Sequence, residues 1–254
     1  MAVSKQDLFA ALLQLADDHL ILGHRVSEWC GHAPMLEEDL ALSNLALDLL
    51  GQARAIYAYA GEVEGKGRDE DQLAFLRLER DYRNLLLVER PNGDFAHTIL
   101  RQFYFAAFMK PCWDWLAVNS TDETLKGIAG KAAKEMAYHV RHCGEWVIRL
   151  GDGTEESSAR MRAAVDALHR YTSELFTDSA AFGACVEAGI LPARDSLKPA
   201  WDATVRMVFD EAGLAIPDIE FPVTGGRDGL HGEEMGHLLA ELQYMQRTYP
   251  GMKW

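Results

Sequence analysis

Along most of the chain, apolar residues recur every three to four positions, the period of a helix with one buried face. Leu8, Leu12, Leu15, Leu22 and Val26 set this rhythm in a first helix, which Ser4 can cap and which runs to about Trp29, where C-G-H-A-P breaks it. A second helix, from about Leu36 to Ala60, is apolar almost all round, a pattern that predicts burial on every side. A polar line runs through it: Asn44, Asp48 and Gln52, spaced four residues apart. Gly61 to Asp71 reads as an exposed loop, and a third helix is expected from about Gln72 to Arg90.

P-N-G-D is a turn, and Asp94 can cap a fourth helix running to about Leu116, rich in aromatic residues suited to a core or a subunit interface. Ser120 and Glu123 have the spacing of a capping box and open a fifth helix, which G-D-G ends. Thr154 caps a sixth, to about Phe176; residues 178–196 are irregular. Further helices are expected at about Leu197–Gly213 and Glu233–Thr248. The long loop between them, Ile216 to His231, is expected to wrap a neighbour or partner. Strand alternation is missing, so the fold class is all-α: one domain over residues 1–254, a bundle of long antiparallel helices.

The fifth helix carries the most suggestive chemistry. Glu135, His139, His142 and Trp146 share one stripe at 100° per residue, and a carboxylate with two imidazoles resembles half of a bundle-type metal site. A complete di-metal site needs Glu on two helices and Glu-x-x-His on two more. A carboxylate followed by His three residues on occurs at Asp94/His97, Asp166/His169, Asp228/His231 and Glu234/His237; only the last is a true E-x-x-H, and it lies near the C-terminus. Glu135 is followed at that spacing by Tyr138, His139 arriving one residue late. Two readings remain open: a degenerate site of Glu135, His139, Asp48 and Asn44, hydrogen-bonded and metal-free, or an independent di-metal oxidase or peroxidase using Glu135, His139, His142, Asp166 and His169. The first predicts that Glu135 and His139 are buried and bonded to Asn44 or Asp48. The T-G-G-R-D-G-L-H segment could bind an anion through backbone N–H groups and Arg227, or serve as a docking loop.

Charge narrows the partners. Lys and Arg number 25 against 39 Asp and Glu, a net charge of −14, which repels nucleic acid and anionic membrane alike. No apolar run reaches the roughly 20 residues of a membrane span. Cys30, Cys112, Cys143 and Cys185 form no C-x-x-C pair and read as reduced, buried thiols; with no signal-peptide pattern at the N-terminus, a cytoplasmic location is expected.

Several blocks carry a resemblance that covers nearly the whole chain: S-E-W-C-G-H-A-P, L-E-E-D-L-A-L-S-N-L-A-L-D-L-L-G-Q-A-R, N-L-L-L-V-E-R-P-N-G-D-F-A, K-E-M-A-Y-H-V-R, R-L-G-D-G-T, T-G-G-R-D-G-L-H, L-A-E-L-Q-Y-M-Q-R and the closing P-G-M-K-W. They resemble the C-subunit family of bacterial ring 1,2-phenylacetyl-CoA epoxidase. That resemblance implies a ferritin-like bundle acting as a non-catalytic, structural component of a multicomponent monooxygenase in phenylacetate degradation. It implies that a related catalytic subunit holds the di-iron centre, that a further subunit bridges the assembly, and that a reductase with FAD and Fe–S delivers electrons from NADPH. This chain would carry no cofactor of its own and would help form the phenylacetyl-CoA site. By position, the resemblance assigns substrate contact to Asp81, Tyr82, Arg83 and Asn84, and to Phe182, Gly183 and Ala184. Arg83 could meet a CoA phosphate and Tyr82 could pack on its adenine or pantetheine arm.

Overall fold

The computed structural model describes residues 3–252, and among them all regular structure is helical. Four long helices form the frame: α1 (Lys5–Ser27), α2 (Leu36–Glu64), and, after the short α3 (Glu70–Phe75) and α4 (Leu86–Glu89), α5 (Phe95–Asn119) and α6 (Glu123–Gly151). Then come α7 (Glu155–Leu168), which continues as a 3₁₀ turn over His169–Phe176, α8 (Ala180–Glu187), α9 (Lys198–Ala212), α10 (Glu233–Leu242) and α11 (Tyr244–Thr248). This is the all-α bundle the pattern predicts.

The expected caps at Ser4, Asp94 and Thr154 form, each side chain accepting from the backbone N–H three residues on. The start of α6 differs. Asp122 caps it, 2.9 Å from the Leu125 amide, because the Ser120 hydroxyl is buried and donates to the Ile190 carbonyl instead. α2 ends at Gly65, whose left-handed backbone (φ 69°) stops the helix cleanly.

The two hairpins run antiparallel. Asp17 of α1 meets Tyr57 of α2, while Gly23, further along α1, packs on Leu49 and Leu50, earlier in α2. α6 pairs back along α2 in the same sense, with Glu135, His139 and His142 opposite Gln52, Asp48 and Glu38. The aromatic residues of α5 fill the space between: Phe103, Tyr104, Phe105, Phe108 and Trp113 are all buried, and α5 continues through Pro111.

Three expectations are corrected. Cys30 is exposed, while Cys112, Cys143 and Cys185 are buried as expected. The third helix is not continuous: residues 82–85 are extended between a 3₁₀ turn at Glu79–Asp81 and α4. Carboxylates from elsewhere claim the backbone donors a helix would use internally. Asp17 accepts from the Arg83 amide (2.7 Å), Asp18 from Leu85 (2.7 Å) and Glu174 from Leu86 (2.8 Å). Nor is α2 buried all round. Leu36, Leu40 and Leu47 are 72%, 58% and 66% exposed, so one face of the most apolar helix is left to solvent by this chain alone.

Candidate functional site

The bundle centre is where four inward helix faces could build a metal site, and the structure shows what occupies it. His139 is buried; its Nε2 lies 3.2 Å from Asp48 of α2 and its Nδ1 lies 3.1 Å from the Gln102 amide of α5. Glu135, half-buried, accepts from Gln52 Nε2 at 2.8 Å and pairs with Lys131 at 2.9 Å. His142 sits 3.1 Å from Glu38 and stacks under Tyr138. His19 of α1 is buried between Phe105 and Trp113, its Nδ1 2.7 Å from the Leu15 carbonyl. Burial holds its imidazole near pKa 4, so it is neutral.

The expected bond from His139 to Asp48 is therefore present. Glu135 finds Gln52, one turn further along, and Asn44 is exposed and takes no part. The geometry explains why. Residues four apart on a helix drift 40° per step, so Asn44, Asp48 and Gln52 cannot all face one neighbour.

These residues do not fit a di-metal centre. Beside Glu135 and His139, α2 and α5 present the neutral amides Gln52 and Gln102, whose oxygens are weak ligands and here are buried without a hydrogen-bond partner. Among the described residues, no three His, Cys, Asp or Glu side chains are grouped to hold a metal. The five-residue oxidase set is scattered as well. His169 meets the Tyr104 hydroxyl (3.1 Å) and Trp201, and Asp166 is exposed at a surface cleft. The other sequence pairs have structural employment: Asp94 caps α5 and meets His97, His231 meets Glu89, and Glu234 pairs with Arg90.

A denser polar assembly lies toward one end of α1. Asp17 receives both terminal nitrogens of Arg77 and the Tyr57 hydroxyl. Asp18 receives Arg227 in a two-pronged pair, 2.7 and 3.0 Å, and burial pushes its carboxyl up while Arg227 pulls it back. Glu174 accepts from the amides of Gly225 (2.9 Å) and Gly226 (2.8 Å). The anion expected at the T-G-G-R loop is thus internal. Its backbone holds Glu174 and its arginine holds Asp18, so residues 225–232 dock on neighbouring elements of their own chain. Gly226 is required there, since a Cβ would run into the Asn84 carbonyl. Residues 216–222, by contrast, stay outside, with Phe221 75% exposed.

The segment Asp81–Asn84 is the strap this assembly holds down. Tyr82 and Asn84 are fully buried: the Tyr82 ring lies under Arg77 with its hydroxyl donating to the Ala74 carbonyl, and Asn84 donates to Glu89 at 2.9 Å. Asp81 is exposed, and Arg83 is half-exposed with its guanidinium on the carbonyls of Arg80 and Tyr82. Phe182 is buried beneath Arg194, while Gly183 and Ala184 are half-buried on α8. Arg194 in turn reaches Gln14, whose carbonyl takes Arg227, so both segments are fastened to the same stretch of α1.

Sequence reasoning missed this assembly. Its signal was the run Asp17-Asp18-His19 inside an otherwise apolar helix: three ionisable groups where the pattern demanded core.

Residues 1–254 match the family described as phenylacetic acid catabolic protein. The chain belongs to that family. Within it, the chain is similar to the C subunit of 1,2-phenylacetyl-CoA epoxidase from Escherichia coli (strain K12): 48% identical over 247 residues, covering 97% of this chain and 99% of that protein. No helix among the described residues is long and apolar enough to cross a membrane.

Proposed function

We propose that this chain is a non-catalytic component of a phenylacetyl-CoA epoxidase, acting in phenylacetate catabolism. The observation that carries this reading is end-to-end similarity to a protein named as the C subunit of that enzyme. The bundle centre supports it: the neutral amides Gln52 and Gln102 stand beside Glu135 and His139, so the iron belongs in a separate catalytic subunit. A bridging subunit, together with a reductase carrying FAD and Fe–S and fed by NADPH, completes the assembly, and this chain works with them in the cytoplasm. Its contribution is part of the acyl-CoA site and a rigid helical wall beside the catalytic subunit.

In that site Asp81 and Arg83 face the ligand, Arg83 meeting a CoA phosphate by exchanging its two carbonyl bonds for charged ones. Tyr82, Asn84 and Phe182, being buried, position the strap and α8 from within, and Gly183 and Ala184 leave room for the pantetheine arm. Turnover with phenylacetyl-CoA, O2, NADPH and the reductase tests the reading. The chain alone should give no epoxide, and adding it to the catalytic subunit should raise the rate. Epoxide from the chain alone, or equal rates with and without it, would overturn the proposal.

A further inference from the structure

We propose that the outward face of α2 and α6 is the surface on which a different helical chain docks, one that is apolar at its centre and acidic at its edge. The inference rests on the reading of this chain as one component of a larger assembly and goes further by naming the face and the character of what covers it.

The first observation is the mismatch between pattern and exposure on α2. Leu36, Leu40 and Leu47 fall within a 40° arc at 100° per residue, and each is more than half exposed. They form a ridge about 16 Å long on an otherwise well-buried helix. Isolated exposed leucines are ordinary on a protein surface; three aligned on one stripe mark an interface. Met35 extends the ridge at one end, and Tyr138 of α6 adds an exposed ring beside it.

The second observation is a cleft of about 400 Å³ further along the same pair of helices. Gly51 and Ala55 line it from α2, and Gly127, Ile128 and Ala132 from α6, so a backbone can approach closely. A ridge running into a cleft is the relief that a packed helix matches.

Charge selects the occupant. Although the chain carries a net −14, α6 exposes Lys134 and Arg141 along this face, beside Lys131, which is paired with Glu135, and with acidic Glu37 and Glu123 toward its two ends. A two-fold dimer of identical chains centred on the ridge would set the basic row against itself. A different chain with a carboxylate-rich rim would satisfy it.

The test is co-expression with the catalytic subunit of the same epoxidase, followed by affinity capture and size-exclusion chromatography. Leu40→Glu/Leu47→Glu should fold as the wild type does, by circular dichroism and melting, because both side chains already face solvent. It should lose capture by at least about tenfold. Lys134→Glu/Arg141→Glu should weaken capture at low salt and converge on the wild type at high salt. Phe221→Ser removes an equally exposed apolar group elsewhere and should bind normally. Equal capture of the leucine variant and the wild type would overturn the surface. A wild-type homodimer broken by the leucine substitutions would overturn the choice of occupant. Failure of the wild type to associate with the catalytic subunit would instead sink the epoxidase-component reading, and the named partner with it.

Discussion

Arg227→Met is expected to destabilise the fold by about 3–5 kcal/mol, the usual cost of leaving one member of a buried ion pair without its partner. Arg227 does more than neutralise Asp18. It also donates to the carbonyls of Gln14 and Arg83, so one guanidinium joins α1, the extended strap and the C-terminal loop. Without it, Asp18 keeps the Leu85 amide but loses its charged partner and is pushed toward its protonated form. That gives the effect a pH signature. A carboxyl whose folded-state pKa is raised binds more protons folded than unfolded, so the deficit of the variant relative to wild type shrinks as pH falls. The double variant Asp18→Leu/Arg227→Met should be less damaged than the sum of the two single variants, since it leaves no unpaired charge. Thermal melts of the four proteins at pH 8 and pH 5 measure all of this; additive losses with no pH dependence would show that the pair is not coupled.

The second large effect is acid sensitivity. Burial holds His19 and His24 at about 4 in the folded state, against 6.5 for the free side chain. A base with a lowered folded pKa contributes stability that is complete above pH 6.5 and is lost as pH falls from 6.5 toward 4, where the unfolded chain takes up the proton first. The shift corresponds to at most about 3 kcal/mol for each group. His169, also lowered by burial, adds in the same direction. His231 works oppositely: burial disfavours its charge, but the Glu89 carboxylate outweighs that and raises its pKa. Its contribution is complete below pH 6.5 and fades as pH rises through the raised value, so docking of the C-terminal loop weakens on the alkaline side. Urea unfolding between pH 7.5 and 4 should show a steep loss of stability, flattened in His19→Leu, whose side chain suits the pocket of Phe105 and Trp113. An unchanged slope in that variant would remove His19 from the account.

How far the sequence reached depends on whether the deciding forces were local. The helix caps at Ser4, Asp94 and Thr154 were legible because capping is settled within four residues. The contact between His139 and Asp48 was legible because two inward polar stripes on long helices leave each other as the nearest partners. The break at residues 82–85 was not. Nothing in D-Y-R-N-L-L-L-V-E forbids a helix, and it is carboxylates more than 60 positions away, Asp17 and Asp18, that take its amides. The same distance hid the roles of Glu174 and Arg227, whose partners come from three separate parts of the chain. Asp81–Asn84 and Phe182–Ala184 were placed by resemblance alone. The structure adds that Tyr82, Asn84 and Phe182 are interior groups, so any contact with an acyl-CoA falls to their exposed neighbours.

Iron content tests the central claim most directly. The chain should be expressed alone and together with the catalytic subunit, purified in both forms, and analysed for metal. A non-catalytic component with amides at Gln52 and Gln102 should contain no stoichiometric iron by itself, and the complex should contain only what the catalytic chain binds. About two irons in the isolated chain, the complement of a complete bundle-type site, would contradict the account.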